Sequence, residues 1–317
     1  IHHLINILKM NFIFDYNEHR MITLKQINYA LSVQKNLHFK KAAEECFVSP
    51  STLSNAITEM EVDLGTQIFE RDNKKVLVTK SGEEILKKAK EIKIQMQDIY
   101  NLDNKNNSVL NSSISMGIIP TVGPYFLPLI LPELKRNFPN LNLKIVEGQS
   151  NQLVTKVKDG DLDMAVLALP FDIKGLLALK FWKENLYLIS HKEEMIKKKK
   201  KIKAKNIDYS NLLVLEDGHC LKKHIVSACK ISTKKKFSME SSSMGTLIQL
   251  VAGKMGKTLV PKLAVNQLIE SIPTLVETEL DEPGPHRELA VIIRPTYTGL
   301  KHVEELIKIF KKKLIKT

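Results

Sequence analysis

At 317 residues, with 43% hydrophobic and 26% charged side chains, the chain is long enough for two domains that each bury a core, and it has the balance of a folded globular protein. No apolar run approaches the roughly 18 residues that a membrane-spanning helix needs, so no membrane partner is expected. The formal net charge of +13 suits a polyanion such as double-stranded DNA, but 43 of the 48 basic residues are Lys and 5 are Arg, so lysine is raised throughout and charge alone locates no binding face.

In chain order, residues 1–20 show neither an initiating Met nor a helical capping pattern, and Met21 opens the first coherent element. The expectation for 1–20 is a non-native or disordered leader. From Thr23, a capping residue, Leu24, Ile27, Ala30, Leu31, Val33 and Leu37 follow a helical period. A second, shorter helix buries Phe39, Ala42, Ala43 and Cys46 at i, i+3, i+4, i+7, and its small alanines let another helix approach. Ser49-Pro50 reads as a serine N-cap followed by proline at the first helical position, where its missing N–H costs nothing. The third helix carries the apolar stripe Leu53, Ala56, Ile57, Met60 and Leu64, and Gly65 suits the left-handed residue that ends it. Around its start and opposite face stand Ser49, Ser51, Thr52, Asn55 and Thr58. Short hydrogen-bonding side chains there are what a recognition helix offers to base edges and phosphates, although any polar solvent face looks the same. The next segment decides for DNA. Ile68-Phe69-Glu70-Arg71, a turn at Asp72-Asn73 and Lys74-Lys75-Val76-Leu77-Val78-Thr79 read as a β-hairpin, a wing whose Arg71, Lys74 and Lys75 reach an adjacent groove. Residues 21–80 thus have the order of a winged helix-turn-helix.

The stretch F-x-x-A-A-x-x-C-x-V-S-x-x-x-L-S-x-x-I-x-x-M-E-x-x-L-G-x-x-I-F-x-R from Phe39 to Arg71, followed by V-T-x-x-G ending at Gly82, resembles the LysR-type transcription regulators. The family usually opens its recognition helix with Ser-Gln-Pro, where this chain has Ser49-Pro50-Ser51, a departure that touches base preference and not the fold. Cys46 stands where the family usually has leucine and reads as a core residue.

A long helix begins near Ser81. Its apolar residues Ile85, Ala89, Ile92, Met96 and Ile99 alternate steps of four and three, which is heptad spacing. A seam this narrow needs a second helix, and the same helix of another copy supplies it, so residues 81–112 read as a dimerisation linker with a hinge at Asn104 to Ser112. A homodimer with two recognition helices about a twofold axis matches a pseudo-palindromic operator.

From Ser113 to Thr317 the pattern alternates strand and helix: Ile114 to Ile119, a helix after Pro124, Asn142 to Val146, a helix from Asn151, and Met164 to Leu169. A second set of strands lies near Leu186 to Ser190, Leu212 to Leu215, Phe237 to Glu240 and Thr258 to Val260, and the chain returns through Leu289 to Ile293 into a helix from Thr298. The expectation is an α/β arrangement with parallel strands, in two lobes joined by two crossings, with ligands held at strand C-termini between the lobes. The run Lys197 to Lys201, continued by Lys203 and Lys205, reads as solvated surface. Three cysteines are too few for a secreted disulfide scaffold, and without a secretion signal a cytoplasmic setting is expected, where any disulfide is transient. Cys220 and Cys229, nine apart, have three readings: buried structural thiols, metal ligands, or a reactive thiol with its resolving partner. Metal is disfavoured because His219 is too close to Cys220 and no second ligand cluster exists, and no cofactor is expected.

The segment G-I-I-P-T-V-G-P-Y-x-L-P-x-I-x-P-x-L from Gly117, and L-E-D-G-H-C-L with a cysteine nine residues on, resemble the peroxide-sensing members of the LysR family, from about Met21 to the C-terminus. The resemblance implies an α+β multidomain chain: winged helix-turn-helix, helical linker, and a two-lobed α/β effector domain like a periplasmic binding protein. It implies Cys220 as peroxidatic and Cys229 as resolving thiol, joined reversibly on oxidation. Thr121 and Ser150 stand where the family places two threonines against the peroxide, Arg287 matches an arginine that favours thiolate, and His219 is positional. Plainer readings make Thr121 and Ser150 helix caps and Arg287 half of a surface ion pair. The implied function is activation of oxidative-stress defence genes by a homotetramer that contacts RNA polymerase. Two competitors are a metabolite-responsive LysR-type activator with incidental cysteines, and a thiol peroxidase, against which the DNA-binding half argues.

Overall fold

The computed structural model describes residues 21–72, 75–102, 113–194, 200–231 and 237–315, the side chains of 97, 98 and 100–102 excepted. The leader at 1–20, Lys74 and the hinge at 104–112 lie outside the described residues, as does most of the lysine run. The chain divides into two compact units between Tyr100 and Asn101.

In the first unit, helix α1 (Leu24–Asn36) starts where the Thr23 hydroxyl accepts the Gln26 N–H and the Gln26 side chain returns to the Thr23 N–H, a reciprocal cap. Helix α2 (Phe39–Glu45) follows, with Cys46 half-buried at its end and packed on the core. Helix α3 (Pro50–Leu64) is capped by Ser49, whose hydroxyl accepts the Thr52 N–H at 3.1 Å, and it ends at Gly65 with φ 66°. Ala30, Val33, Ala42, Ala43, Leu53 and Ile57 are fully buried between the three helices. Strands β1 (Phe69–Asp72) and β2 (Lys75–Val78) pair antiparallel as the wing, with Phe69 opposite Val78. Helix α4 (Lys80–Leu102) adds Leu86 and Ala89 to this core, while Ile92 and Ile99 farther along the seam remain 40% and 58% exposed.

The second unit holds two sheets. In the first lobe, β3 (Ser113–Ile118), β4 (Asn142–Glu147) and β5 (Met164–Leu169) run parallel, joined by α5 (Gly123–Asn137) and α6 (Ser150–Lys158). Strand β6 (Leu177–Glu184) leads out towards β7 (Leu186–His191) in the second lobe. That lobe adds β8 (Lys201–Ile202), β9 (Leu212–Leu215), α7 (Cys220–Ala228), β10 (Met239–Ser241), α8 (Met244–Ala252), β11 (Lys257–Pro261), α9 (Lys262–Ile269) and β12 (Leu275–Leu280). The chain returns along β13 (Arg287–Ile293) and ends in α10 (Leu300–Leu314). Sheet orders are β4-β3-β5-β13-β6 and β10-β9-β11-β7-β12-β8.

Parallel pairing holds for β3, β4 and β5, for β9, β10 and β11, and for β12 with β8. It fails where the chain crosses between lobes. Strand β13 is antiparallel to both β5 and β6, and β7 is antiparallel to β11 and β12, because a strand that returns across the domain enters its sheet from the opposite end. Strands β6 and β12 were not expected, since Lys180, Lys183, Glu277 and Glu279 interrupt their apolar pattern, nor was β8, two residues at the end of the lysine run. Phe126, Phe181 and Phe310 meet at ring-centroid distances of 5.0 to 5.8 Å and fasten α10 to the first lobe. Among the described residues no helix is long and apolar enough to cross a membrane.

Candidate functional site

On the first unit, Ser51, Thr52, Asn55 and Thr58 are exposed on α3. Ser49 is committed to capping, its hydroxyl 2.7 Å from Thr52 Oγ1 and 2.9 Å from Ser51 Oγ. Thr58 donates its hydroxyl to the Ser54 carbonyl at 3.0 Å. Arg71 ties the wing to α3: its guanidinium donates to Glu61 Oε2 at 2.8 Å and to Ser54 Oγ at 3.1 Å, and lies 4.7 Å from the centre of the Phe39 ring. Glu61 in turn accepts the N–H groups of Ile68 and Phe69 at the root of the hairpin. Lys75 is exposed beside the hairpin turn.

In the second unit, Cys220 comes from the second lobe and its surroundings from the first. It is the first residue of α7, directly beyond the C-terminal end of β9, so its sulfur sits at a helix N-terminus. The preceding loop must be tight. Gly218 has φ 103°, and a Cβ there would come 2.3 Å from Oε1 of Gln149, the residue that precedes α6 in the first lobe.

Arg287, at the start of β13, is fully buried and not the surface ion pair of the plainer reading. Its Nε donates to Glu184 Oε1 at 2.7 Å, its Nη1 to Thr121 Oγ1 at 3.2 Å and its Nη2 to the Thr121 carbonyl at 3.3 Å. Glu184, the last residue of β6, accepts the Leu263 N–H on its other oxygen at 3.0 Å. A buried charge is tolerable only when paired and bonded in this way. Thr121 does not cap α5, whose N-cap position is Val122, and Ser150 does not cap α6, being its first residue behind Gln149. Ser150 Oγ is instead buried without a hydrogen-bond partner among the described residues, where its hydroxyl favours the Cys220 anion.

The electrostatics separate the two thiols. Burial pushes the Cys220 thiol up, and the Arg287 charge, the Ser150 hydroxyl and the backbone N–H groups of Cys220 and Ala168 pull it back towards thiolate. Cys229, buried at the far end of α7, is pushed up to about 11 by burial and by the Glu282 carboxylate, opposed by the Tyr209 hydroxyl. The Arg287 charge favours the Cys220 anion, whereas the Glu282 charge opposes that of Cys229. His219 faces Glu216 and Glu147, and burial holds its pKa below the usual value against both carboxylates.

The structure thus brings Arg287 and Ser150 to Cys220 and attaches Thr121 through Arg287, while His219 is the N-cap residue of α7 and makes no side-chain cap hydrogen bond. Two participants escaped the sequence reading. Glu184 lies 103 residues from its partner and leaves no local signal. His224 sits four residues after Cys220 on the same helical face, a spacing that would have found it.

A winged helix-turn-helix joined to a two-lobed α/β domain with a polar site between its lobes is the architecture of a DNA-binding regulator. Residues 24–83 match the bacterial regulatory helix-turn-helix protein, lysR family, and residues 107–314 match the LysR substrate binding domain. The chain belongs to the LysR family of transcription regulators, which bind DNA and oligomerise. It is 36% identical to the HTH-type transcriptional regulator EstR of Acinetobacter baylyi, over 92% of this chain and 96% of that one. It is 30% identical to the hydrogen peroxide-inducible genes activator of Dickeya chrysanthemi, over 86% of this chain and 90% of that one. Among solved structures, full-length OxyR from Pseudomonas aeruginosa superposes with a TM-score of 0.76 at 29% identity, covering 92% and 95% of the two chains.

Proposed function

We propose that this LysR-type regulator is a hydrogen peroxide sensor that activates oxidative-stress defence genes through a reversible Cys220–Cys229 disulfide. The observation that carries the reading is the Cys220 sulfur of one lobe held against the Arg287 charge and the otherwise unpartnered Ser150 hydroxyl of the other. Thr121, bonded to Arg287, belongs to the same cradle, and the similarity to peroxide-inducible activators points the same way.

In the first step the Cys220 thiolate attacks one peroxide oxygen. An S–O bond forms and the O–O bond breaks, and the departing oxygen leaves as hydroxide and is protonated to water. The sulfur is oxidised to sulfenic acid as the peroxide is reduced. In the second step Cys229 gives up its proton and attacks that sulfur, the S–O bond breaks, and a second water leaves. A cytoplasmic thiol reductant restores both thiols. Cys229, with its thiol pushed up, acts as resolving partner and Cys220, with a cation beside it, as the first nucleophile.

Dimerisation through α4 and assembly into a homotetramer would turn a change at α7 into a change in spacing between DNA-binding pairs, and so in contact with RNA polymerase. On the first unit, Ser51, Thr52 and Asn55 read the operator, with Lys75 and Lys74 on its phosphates; Ser49 and Arg71 hold the reading head in shape.

Peptide mapping by mass spectrometry after one equivalent of hydrogen peroxide tests the reading: a Cys220–Cys229 cross-linked peptide is expected, with sulfenic acid retained at Cys220 in Cys229→Ser. Unaltered cysteines, with a melting shift induced by a small metabolite, would favour the second reading, an ordinary metabolite-responsive regulator. The burial that pushes both thiols up is the observation on that side.

A further inference from the structure

His224 stands one helical turn beyond Cys220 on α7. Side chains on a helix lean towards its N-terminus, so the imidazole lies over the turn that begins with Cys220. The ring is buried, and its Nε2 lies 3.1 Å from the carbonyl oxygen of Pro170, in the loop that follows β5 of the first lobe. A proline carbonyl only accepts, so Nε2 carries the proton and Nδ1 carries the lone pair. That Nδ1 is buried and has no partner among the described residues, as is true of Ser150 Oγ, the hydroxyl that favours the Cys220 anion. Buried polar atoms in native folds are bonded almost without exception, and two orphans, one beside the thiol and one a helical turn from it within reach of the same Arg287 charge, mark a place for a small polar guest.

Besides Nδ1 the cradle offers one free acceptor, the Ser150 hydroxyl. Glu184 is used up by Arg287 and the Leu263 N–H, and Thr121 Oγ1 already accepts from Arg287. Hydrogen peroxide brings two O–H groups as well as lone pairs, so the Ser150 hydroxyl alone would leave one O–H without an acceptor.

We infer that His224 is a substrate-positioning residue of the Cys220 site, its Nδ1 accepting a hydrogen bond from the O–H of the hydroperoxide that the sulfur attacks. This rests on the peroxide reading above and deepens it. The ligand class becomes a neutral hydroperoxide carrying a proton; an aprotic thiol reagent gains nothing from the imidazole. Burial and the Arg287 charge hold the ring neutral down to about 4, so the lone pair stays available at physiological pH.

The test follows Cys220 in the full chain, comparing oxidation by hydrogen peroxide with modification by methyl methanethiosulfonate, a small thiolate reagent without an O–H. His224→Leu is expected to slow the peroxide reaction about tenfold, the worth of one hydrogen bond to a buried acceptor, and to leave the thiosulfonate rate at its wild-type value. His224→Gln, whose amide oxygen accepts, should recover most of the loss. Equal slowing of both reagents, or of neither, overturns the inference while leaving a peroxide-reactive wild type intact; a wild-type Cys220 that ignores peroxide removes the function and the inference together. Independently of any His224 variant, the 15N resonance of Nδ1 in the folded Cys220→Ser protein should move upfield as hydrogen peroxide is added, and an unmoved resonance overturns the proposal.

Discussion

Cys220 opens helix α7 and Cys229 caps its far end. Nine residue steps at about 1.5 Å place their Cα atoms about 13 to 14 Å apart along the axis. A disulfide needs about 4.4 to 6.8 Å, so the two sulfurs cannot join until the helix between them opens. Leu221 and Ile225, each 1% exposed, are the anchors that must leave the core.

Loosening an anchor should therefore speed the second step. Ile225→Ala is expected to destabilise the reduced protein by about 2–5 kcal/mol and to accelerate conversion of Cys220 sulfenic acid to disulfide, followed by quenched-flow mass spectrometry. An unchanged or slower conversion would mean that α7 does not have to open.

The buried Arg287–Glu184 pair makes a second prediction. Arg287→Met leaves Glu184 charged without its partner and should cost about 3–5 kcal/mol in urea unfolding. The double variant Arg287→Met with Glu184→Leu should regain most of that stability. Thiolate reactivity at Cys220 should remain depressed in both, because the cation is gone in both. Restored reactivity in the double variant would assign the arginine a purely structural role.

Two buried groups set opposite pH limits on the reduced fold. Cys229 is raised from 9.0 to about 11, so the folded state prefers the protonated thiol; that contribution, about 2–3 kcal/mol, is complete below pH 9 and disappears as pH rises to 11. His224 is lowered from 6.5 to about 4, so the folded state prefers the neutral ring; its contribution, about 3 kcal/mol, is complete above pH 6.5 and disappears as pH falls to 4. Urea midpoints against pH should flatten on the alkaline side in Cys229→Ser and on the acid side in His224→Gln. Curves parallel to wild type would show that neither group is held as the structure has it.

On the DNA face, Asn55 and Lys75 should separate specificity from affinity. Asn55→Ala should lose about 1–3 kcal/mol at one operator position and little elsewhere. Lys75→Ala should weaken binding to all duplexes alike and reduce the salt slope by about one. Titrations of a selected operator and of its point variants, over a range of salt, distinguish the two.

What could be read in advance was whatever depends on neighbours in the chain. The Ser49 cap, the Gly65 stop, the wing and the parallel strands β3, β4 and β5 follow from local chemistry and spacing. The antiparallel placement of β13 depends on where the chain re-enters the first lobe, which no local pattern records. Arg287 was named from family likeness, but its depth and its bond to Glu184 arise only when β6 and β13 lie side by side. Thr121 and Ser150 were assigned to the thiol by family likeness and to helix caps by the plainer reading; in the folded chain neither is a cap, one accepting from Arg287 and the other favouring the Cys220 anion. His224 was legible in principle, four residues from Cys220, but its meaning depended on the carbonyl of Pro170 in the other lobe.

The most direct measurement is a pair of footprints of the full chain on one selected operator, reduced and after stoichiometric peroxide, with the disulfide verified in the same samples. The account predicts that the protected bases shift when Cys220 and Cys229 are joined, and that Cys229→Ser keeps the reduced footprint after peroxide. Superimposable footprints in the presence of a fully formed disulfide would contradict it.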